Sequence, residues 1–334
     1  MKNHIRLEDS KILVTGGLGF IGSNFILNLF HKFPNCSITN LDAEFVGSNK
    51  ENLKQIAGKK GYHYVKGNIT NTEKIKRLIQ KCDIVFNFAA ESHVDRSIDE
   101  PKPFFDSNII GTYSILEAVR RFDKRLIHIS TDEVFGSLKS GSATEEYVFN
   151  PSSPYAASKA SAELLVNSYC VTYGIDAIIT RCTNNYGPRQ FPEKLIPKVI
   201  MLASNNDNIP IYGTGKNVRD WIYVLDHCDA VVKVCQYGKK GNSYNIAGHN
   251  ELDNITIVKS ILRIMNKSPS LIRYVKDRPG HDFRYSLKTT RIEKEIHWKP
   301  RYTFERGLRS TVSWYLNNHS WWQNISNKSM SRTK

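Results

Sequence analysis

The stretch "VTGGLGFIGSN" (14–24) joins a run of apolar residues to a segment with helical periodicity. Gly16, Gly19 and Gly22 are three residues apart in it. Glycines at this spacing, after a strand and at the start of a helix, allow a tight turn. They also let the backbone approach a pyrophosphate at the helix N-terminus. The stretch therefore predicts a dinucleotide-binding turn, whereas three spaced glycines without this context would indicate only a glycine-rich turn.

The rest of the first half alternates short β-rich runs with helical segments. Predicted strands cover 11–17, 36–42, 82–90, 125–133 and 175–182, and predicted helices cover 20–33, 72–81, 101–122 and 154–174. Strands that alternate with helices in this way indicate βαβ units. The predicted fold class is therefore α/β, a doubly wound, mostly parallel Rossmann-type sheet with a smaller C-terminal substrate-binding domain.

After "NNYGP" (184–188) the pattern becomes irregular, which predicts a second domain. We assign 1–183 and about 218–248 to the dinucleotide-binding domain. Residues of about 184–217 and 249–325 are assigned to the substrate domain, and 326–334 to a flexible tail.

Composition restricts the possible functions of the 334-residue chain. It has no apolar run of the ~20 residues that a membrane span needs, so no membrane partner is expected. Its six cysteines include no CxxC, which predicts free thiols in a reducing cytoplasm and no metal site. The net charge of +15 suits an anionic ligand, but the basic residues are spread along the chain, so no nucleic-acid partner is predicted.

Asp42 ends the second predicted strand, 20 residues after Gly22. A carboxylate at this position can accept hydrogen bonds from the ribose hydroxyls and repels a 2′-phosphate. No Arg or Lys occurs in the next residues, "AEFVGSN" (43–49). The sequence therefore predicts NAD rather than NADP.

Tyr155 and Lys159 open the helical segment "YAASKASAELL", where a spacing of four places them on one face. An ammonium group beside a phenol lowers the pKa of the phenol, which makes Tyr155 a usable base. The spacing alone is common on surface helices, but together with the dinucleotide turn it predicts a hydride-transfer site.

The stretch "STDEVFG" (130–136) puts Thr131, Asp132 and Glu133 at the end of another predicted strand. Ligand crevices lie at such strand ends in open α/β sheets. Adjacent side chains of an extended chain point in opposite directions, so the two acids either are solvated or have separate functions.

These motifs together resemble the extended short-chain dehydrogenase/reductases, and within them the dTDP-glucose 4,6-dehydratases. The narrower resemblance covers nearly the whole chain in order. It is carried by "NFAAESHVDRSI" (87–98), "STDEVFG", "NPSSPYAASKASAELLV" (150–166), "NNYGPRQFPEKLIP" (184–197), "YGTGKNVRDWIYVLDH" (212–227), "DRPGHDFRY" (277–285) and "WYLNNHSWW" (314–322).

The resemblance implies oxidation of a nucleotide-linked glucose at C4, elimination of water across C5–C6 and reduction at C6, on one recycled NAD. Tyr155 would be the base at the C4 hydroxyl, assisted by Lys159, and Thr131 would hold the C4 oxygen. Glu133 would be the base at C5 and Asp132 the acid at the C6 hydroxyl, which requires pKa values that differ between the two acids.

The resemblance also implies the binding residues. For the cofactor these are Gly16, Gly19, Phe20, Ile21, Gly22, Asp42, Asn68, Ile69, Phe88, Ala89, Ala90, Ser92, Ser107, Tyr155, Lys159 and Asn185. For the substrate they are Ser92, His93, Thr131, Asn184, Glu193, Lys194, Leu195, Pro210, Tyr212, Arg219, Asn254, Asp277, Arg278, His281 and Tyr285. Arg219 and Arg278 would bind the diphosphate, and Tyr212 the base. A homodimer through a four-helix bundle of 101–122 and 154–174 is also implied.

The chain departs from the family pattern around the adenosine. Asp42 is followed by Ala43-Glu44-Phe45-Val46 instead of Lys-Leu-Thr-Tyr, and Asn68 replaces an acid. These changes affect the expected tightness of NAD binding. The alternatives left open are a UDP-glucose 4,6-dehydratase, a nucleotide-sugar 4-epimerase or decarboxylase, and a non-catalytic NAD-binding or nucleic-acid-binding protein.

Overall fold

The computed structural model describes residues 5–277 and 282–330. Its strands are β1 (Lys11–Thr15), β2 (Ser37–Asp42), β3 (Tyr62–Lys66), β4 (Ile84–Asn87), β5 (Arg125–Thr131), β6 (Ala177–Cys182), β7 (Asn184–Tyr186), β8 (Ile209–Tyr212), β9 (Val218–Tyr223), β10 (Ser243–Ile246), β11 (Glu251–Asp253) and β12 (Ile272–Val275). Its helices are α1 (Phe20–Lys32), α2 (Thr72–Gln80), α3 (Val94–Asp99), α4 (Lys102–Phe104), α5 (Gly111–Phe122), α6 (Pro154–Tyr173), α7 (Leu195–Ser204), α8 (Val224–Tyr237), α9 (Asn254–Ile264), α10 (Thr290–Ile296), α11 (Phe304–Asn317) and α12 (His319–Met330).

Seven parallel strands form the main sheet in the order β10-β6-β5-β4-β1-β2-β3. The order reverses between β1 and β4, which is where ligands bind in doubly wound sheets. Side chains of β5 alternate between the two faces of the sheet. Ile127 therefore packs with α1 and α8, whereas Leu126 packs with α2, α5 and α6. Burial on both faces explains why the strands read as continuous apolar runs.

A third apolar cluster supports the second half of the chain. Ile200 of α7, Ile261 of α9 and Val312 of α11 pack there against Trp221 of β9. Two small sheets accompany this cluster, one with the order β11-β9-β7 and one that pairs β12 with β8. Of the stretch 218–248, which we assigned to the first domain, β10 joins the main sheet and β9 joins the three-stranded sheet. The division into two domains stays a prediction.

Several predicted elements differ in extent from the observed ones. The edge strand β3 lies outside the predicted strands. The predicted helix over 101–122 is observed as α4, a wide π-type turn over Phe105–Ile110 and α5. In that turn, the Asn108 side chain bonds both backbone groups of Glu91, accepting at 2.9 Å and donating at 3.1 Å. The backbone of 326–330, which we assigned to a tail, continues α12. Residues 331–334 lie outside the described part.

Candidate active site

One cavity of about 310 Å³ lies at the carboxyl ends of strands β1 to β6. All sixteen residues proposed for cofactor binding line it, as do all five proposed catalytic residues. Residues from six strand ends and from α6 therefore meet there, as expected for a crevice beside a topological switch point.

The glycine turn forms one wall of this cavity. Gly16 has φ +71°, and a Cβ on it would lie 2.6 Å from the Ala89 nitrogen. A Cβ on Gly22 would lie 2.4 Å from the Gly16 oxygen. Gly19 caps α1 without a side-chain hydrogen bond, so the first N–H groups of α1 remain for a ligand. This cradle fits a dinucleotide diphosphate.

Asp42 lies at the end of β2 and is only 4% exposed. Its Oδ2 accepts from the Leu18 N–H at 2.9 Å, and its Oδ1 accepts from the Glu44 N–H at 2.8 Å and from Ser48 Oγ at 2.7 Å. A carboxylate offers about four lone pairs, so acceptor capacity remains on Oδ2 for a ribose hydroxyl. Asn68 Oδ1 accepts from the Thr70 N–H at 3.0 Å and keeps one lone pair in the same way.

The chain turns sharply after Thr131, so β5 ends two residues earlier than predicted. Thr131 Oγ1 accepts from the Glu133 N–H at 3.3 Å, which starts a short 3₁₀ helix over Asp132–Phe135. This side-chain bond competes with extended backbone and separates the two acids. Asp132 is 3% exposed, whereas Glu133 is half-buried.

The environment of Asp132 favours its neutral form. Burial and the neighbouring Glu133 carboxylate raise the pKa of Asp132 well above its usual range. Its Oδ1 accepts from Thr131 Oγ1 at 3.1 Å. Its buried Oδ2 has no hydrogen-bond partner among the described residues, so it can carry the proton. The acid role expected for Asp132 needs this protonated form.

Tyr155 and Lys159 lie in the first turns of α6, which Ser153 caps by accepting from the Ala156 N–H at 3.1 Å. The Lys159 ammonium donates to the Ile129 carbonyl at 2.6 Å, and burial lowers the pKa of Lys159 to about 8. The Tyr155 hydroxyl bonds with Thr131.

The lowered pKa expected for Tyr155 is not found, and this prediction is corrected. Complete burial and the Glu133 carboxylate raise the pKa of Tyr155 well above its usual range. In the protein alone these effects outweigh the neighbouring ammonium, because desolvation penalises the phenolate most.

Four proposed substrate residues line the cavity, namely Ser92, Thr131, Asn184 and Lys194. Lys194 Nζ donates to the Ser92 carbonyl at 3.1 Å. Beside it, Glu193 forms an ion pair with Arg96. His93 Nε2 lies 3.2 Å from the same carboxylate, but burial lowers the pKa of His93 to about 4, which favours the neutral imidazole. The segments that follow β4 and β7 are thus joined where Ser92 and Lys194 line the cavity.

Arg219 and Tyr285 contact each other and lie near the two acids. The Arg219 guanidinium lies 4.4 Å from the Tyr285 ring centre and donates to the carbonyls of Asp282 and Phe283, at 2.9 and 3.2 Å. Tyr285 also donates to the Asp282 carboxylate. Three of the Arg219 donors are therefore used inside the protein, counting one to its neighbour Val218.

The other substrate residues proposed within the described ranges do not line the cavity. Leu195 begins α7, and Asn254 begins α9. Pro210 and Tyr212 lie on β8, next to the end of β12 that precedes Asp277. Arg278 and His281 lie outside the described residues.

Several residues of this region were not predicted. Glu91, Ser130 and Gln190 line the cavity. Arg181 forms a buried ion pair with Glu163 at 2.6 Å and lies 5.0 Å from the Phe135 ring centre. The signal for this pair is Glu163 at i+4 from Lys159, on the same helix face.

Residues 13–311 match a family described as GDP-mannose 4,6 dehydratase. A dTDP-glucose 4,6-dehydratase of Mycobacterium tuberculosis is 43% identical over 326 residues, which cover 96% of this chain and 98% of that protein. This chain belongs to the dTDP-glucose 4,6-dehydratase family. The predicted family is therefore confirmed.

Solved structures of other dTDP-glucose 4,6-dehydratases have the same fold. One from Bacillus anthracis, in complex with NAD, gives a TM-score of 0.89 at 44% identity and covers 95% of this chain and 99% of that one. One from Streptomyces venezuelae, with NAD and TYD bound, gives 0.92 at 41% and covers 94% and 99%. The predicted Rossmann-type fold is confirmed.

Proposed function

We propose that this chain converts dTDP-glucose to dTDP-4-keto-6-deoxyglucose and water, with NAD as a recycled cofactor. One observation carries the proposal: Thr131, Asp132, Glu133, Tyr155 and Lys159 line the same cavity as the glycine cradle. The dTDP-glucose 4,6-dehydratases described above, which are 41–44% identical, support the same reaction.

The residues present fit NAD. The cradle of Gly16, Gly19 and Gly22 would hold the diphosphate, and Asp42 would hold the adenosine ribose. Asn68 and Ile69 would lie at the adenine. When bound, NAD⁺ would supply a hydride acceptor for C4 and a hydride donor for C6, and its positive charge would oppose the rise in the pKa of Tyr155.

The protein side chains would move the protons. Tyr155 Oη, as the phenolate that the positive charge of bound NAD⁺ would favour, would take the proton of the C4 hydroxyl, and Thr131 would hydrogen-bond the C4 oxygen. The C4 ketone acidifies the C5 hydrogen, which the Glu133 carboxylate would remove. Asp132, kept neutral by burial, would give its proton to the C6 hydroxyl as that group leaves as water. Glu133 would then return its proton to C5, and the proton taken up by Tyr155 would replace the one that Asp132 lost, so each side chain ends in its starting state and only water is released.

The acids also separate this reaction from its rivals. A 4-epimerase or a decarboxylase needs no acid and base at C5 and C6, and a non-catalytic NAD-binding protein needs none of the five groups. A UDP-glucose 4,6-dehydratase would share all of them. Thymine and uracil differ by one methyl group, worth only about 1–3 kcal/mol in a pocket.

Incubation with dTDP-glucose and with UDP-glucose tests the proposal. A 4-keto-6-deoxy product, read from its absorbance in alkali, is expected to form faster from dTDP-glucose, with no free NADH released. Absence of the product from both sugars would contradict the dehydratase reaction. A higher kcat/KM for UDP-glucose would reassign the nucleotide.

We also propose a cytoplasmic homodimer joined through a four-helix bundle of α5 and α6 with their symmetry mates. Some apolar residues of these helices, such as Ile115, are buried in the chain's own core. Others face outward: Tyr113 of α5 is 46% exposed and Leu164 of α6 is 59% exposed. Apolar patches of this kind are typical of interfaces. None of the helices in the described ranges is long and apolar enough to cross a membrane.

Leu164→Glu tests the dimer. A two-fold interface uses the same patch of both subunits, so Leu164→Glu would bury two like charges in it. Sedimentation is therefore expected to show monomers. Lys240→Glu, which lies outside α5 and α6, is the control. A dimer unchanged in Leu164→Glu would contradict this interface.

A further inference from the structure

Glu44, two residues after Asp42, adopts a left-handed backbone conformation with φ +59°. Residues with a Cβ seldom adopt this conformation, because the Cβ crowds the backbone. The turn directs the Glu44 N–H to Asp42 Oδ1 at 2.8 Å. The loop that follows β2 is thus wrapped around the carboxylate assigned to the cofactor ribose.

The Glu44 side chain binds three groups from other elements. Its carboxylate contacts Lys50 Nζ at 2.8 Å and Lys66 Nζ at 3.3 Å, and accepts from the Tyr64 hydroxyl at 2.6 Å. Hydrogen bonds from Lys50 and Tyr64 lower the pKa of Glu44 to about 2. One carboxylate therefore offsets part of the charge of two ammonium groups.

Lys66 lies opposite Asp42 on the neighbouring strand, and Lys50 contacts the same Glu44 carboxylate as Lys66. The register of β2 with β3 pairs Asp42 with Lys66, and paired residues of neighbouring strands share a face of the sheet. A hydrogen bond of 3.0 Å between Asn40 and the Tyr62 hydroxyl joins the same faces of the two strands. Residues around Glu44 line the cavity, among them Ala43 and Phe45. Lys66 therefore lies on the face of the sheet that carries Asp42, and Lys50 joins it through the Glu44 carboxylate.

We propose that Glu44 is a specificity-determining residue that keeps this site selective for an unphosphorylated ribose. It does so by offsetting part of the positive charge of Lys50 and Lys66. The inference rests on the proposed use of NAD. A 2′-phosphate carries nearly two negative charges and is bound in other proteins by lysine and arginine. With Glu44 in place, such a phosphate meets the Asp42 carboxylate and lysines whose charge is already partly balanced.

Removal of the Glu44 charge tests this role. In Glu44→Gln the amide oxygen can still accept from Tyr64, but two ammonium groups lose their counter-charge. We expect NADP⁺ affinity to rise about tenfold relative to NAD⁺ affinity, the size of effect that one charge has on a nearby dianion in a partly hydrated site. The gain should fall with added salt, because the groups are exposed.

Calorimetry on the full chain measures the dissociation constants of NAD⁺ and NADP⁺ for Glu44→Gln and for two control variants. Glu51→Gln makes the same charge change seven residues away, where Glu51 pairs instead with Lys54 at 3.1 Å, and should leave the affinity ratio unchanged. Glu44→Gln combined with Lys50→Met and Lys66→Met should lose the gain. Circular dichroism and the thermal midpoint verify that each variant is folded.

The outcomes separate this inference from the proposed function. An unchanged affinity ratio in Glu44→Gln, or an equal loss for both dinucleotides, would overturn the specificity role while tight NAD⁺ binding by the parent protein still supports the cofactor. A gain that persists without the two lysines would also overturn it. A parent protein that binds neither dinucleotide would overturn both proposals.

Discussion

Asp132→Asn is expected to make the protein more stable near neutral pH while it stops the elimination. Asp132 is 3% exposed, and burial together with Glu133 raises its pKa well above the usual range. An amide has nearly the same shape and no charge. It can accept from Thr131 Oγ1 as the carboxyl group does.

The size of the effect follows from proton linkage. The unfolded chain releases the Asp132 proton near pH 4, whereas the folded chain keeps it, so folding binds a proton. The contribution of Asp132 to the free energy of unfolding is therefore fully present below about pH 4. As the pH rises toward the folded pKa, this contribution falls by about 1.4 kcal/mol per pH unit. Between pH 5 and 7, the advantage of Asp132→Asn over the parent should grow by up to about 2.7 kcal/mol.

Urea unfolding of both proteins at pH 5, 6 and 7 measures this difference. In thermal unfolding of the same two proteins, the entropy of unfolding of 334 residues is roughly 0.7 kcal/mol/K, so the gap between the two thermal midpoints should widen by about 4 °C. The elimination should slow about 10²–10⁴-fold, because the acid is lost. A stability difference that stays flat with pH would mean that Asp132 is ionised in the folded protein, and would refute its role as the proton donor.

Two further variants test neighbouring parts of the site. Glu133→Gln should slow exchange of the C5 hydrogen with deuterated solvent about 10²–10⁴-fold and leave the NAD dissociation constant unchanged, whereas exchange at the parental rate would exclude Glu133 as the base. Arg181→Met should lower the free energy of unfolding by about 3–5 kcal/mol, because it leaves the fully buried Glu163 carboxylate unpaired. Adding Glu163→Met should recover much of that loss in urea unfolding, and a double variant as unstable as the single one would contradict this explanation.

Local pattern was enough for most of the main sheet. The apolar runs of β1, β2, β4, β5 and β6 and the glycine turn are contiguous in sequence, so their periodicity and spacing are readable. The edge strand β3 was missed because only Tyr62 of its five residues is buried, which weakens the apolar signal. The wide turn before α5 was missed because its cause is the pairing of Asn108 with Glu91, a contact between separate segments.

The sequence alone determined the fold class, the family and the five residues that would carry the chemistry. Each of these is read from short motifs, and the residues within each motif are close together in the chain. Only the tertiary structure decided the charge state of those residues, because desolvation depends on what surrounds a group in three dimensions. Burial made Asp132 a neutral acid and raised rather than lowered the pKa of Tyr155. In the same way, the seven residues after Asp42 include no lysine, and only the pairing of β2 with β3 brings Lys66 to Glu44.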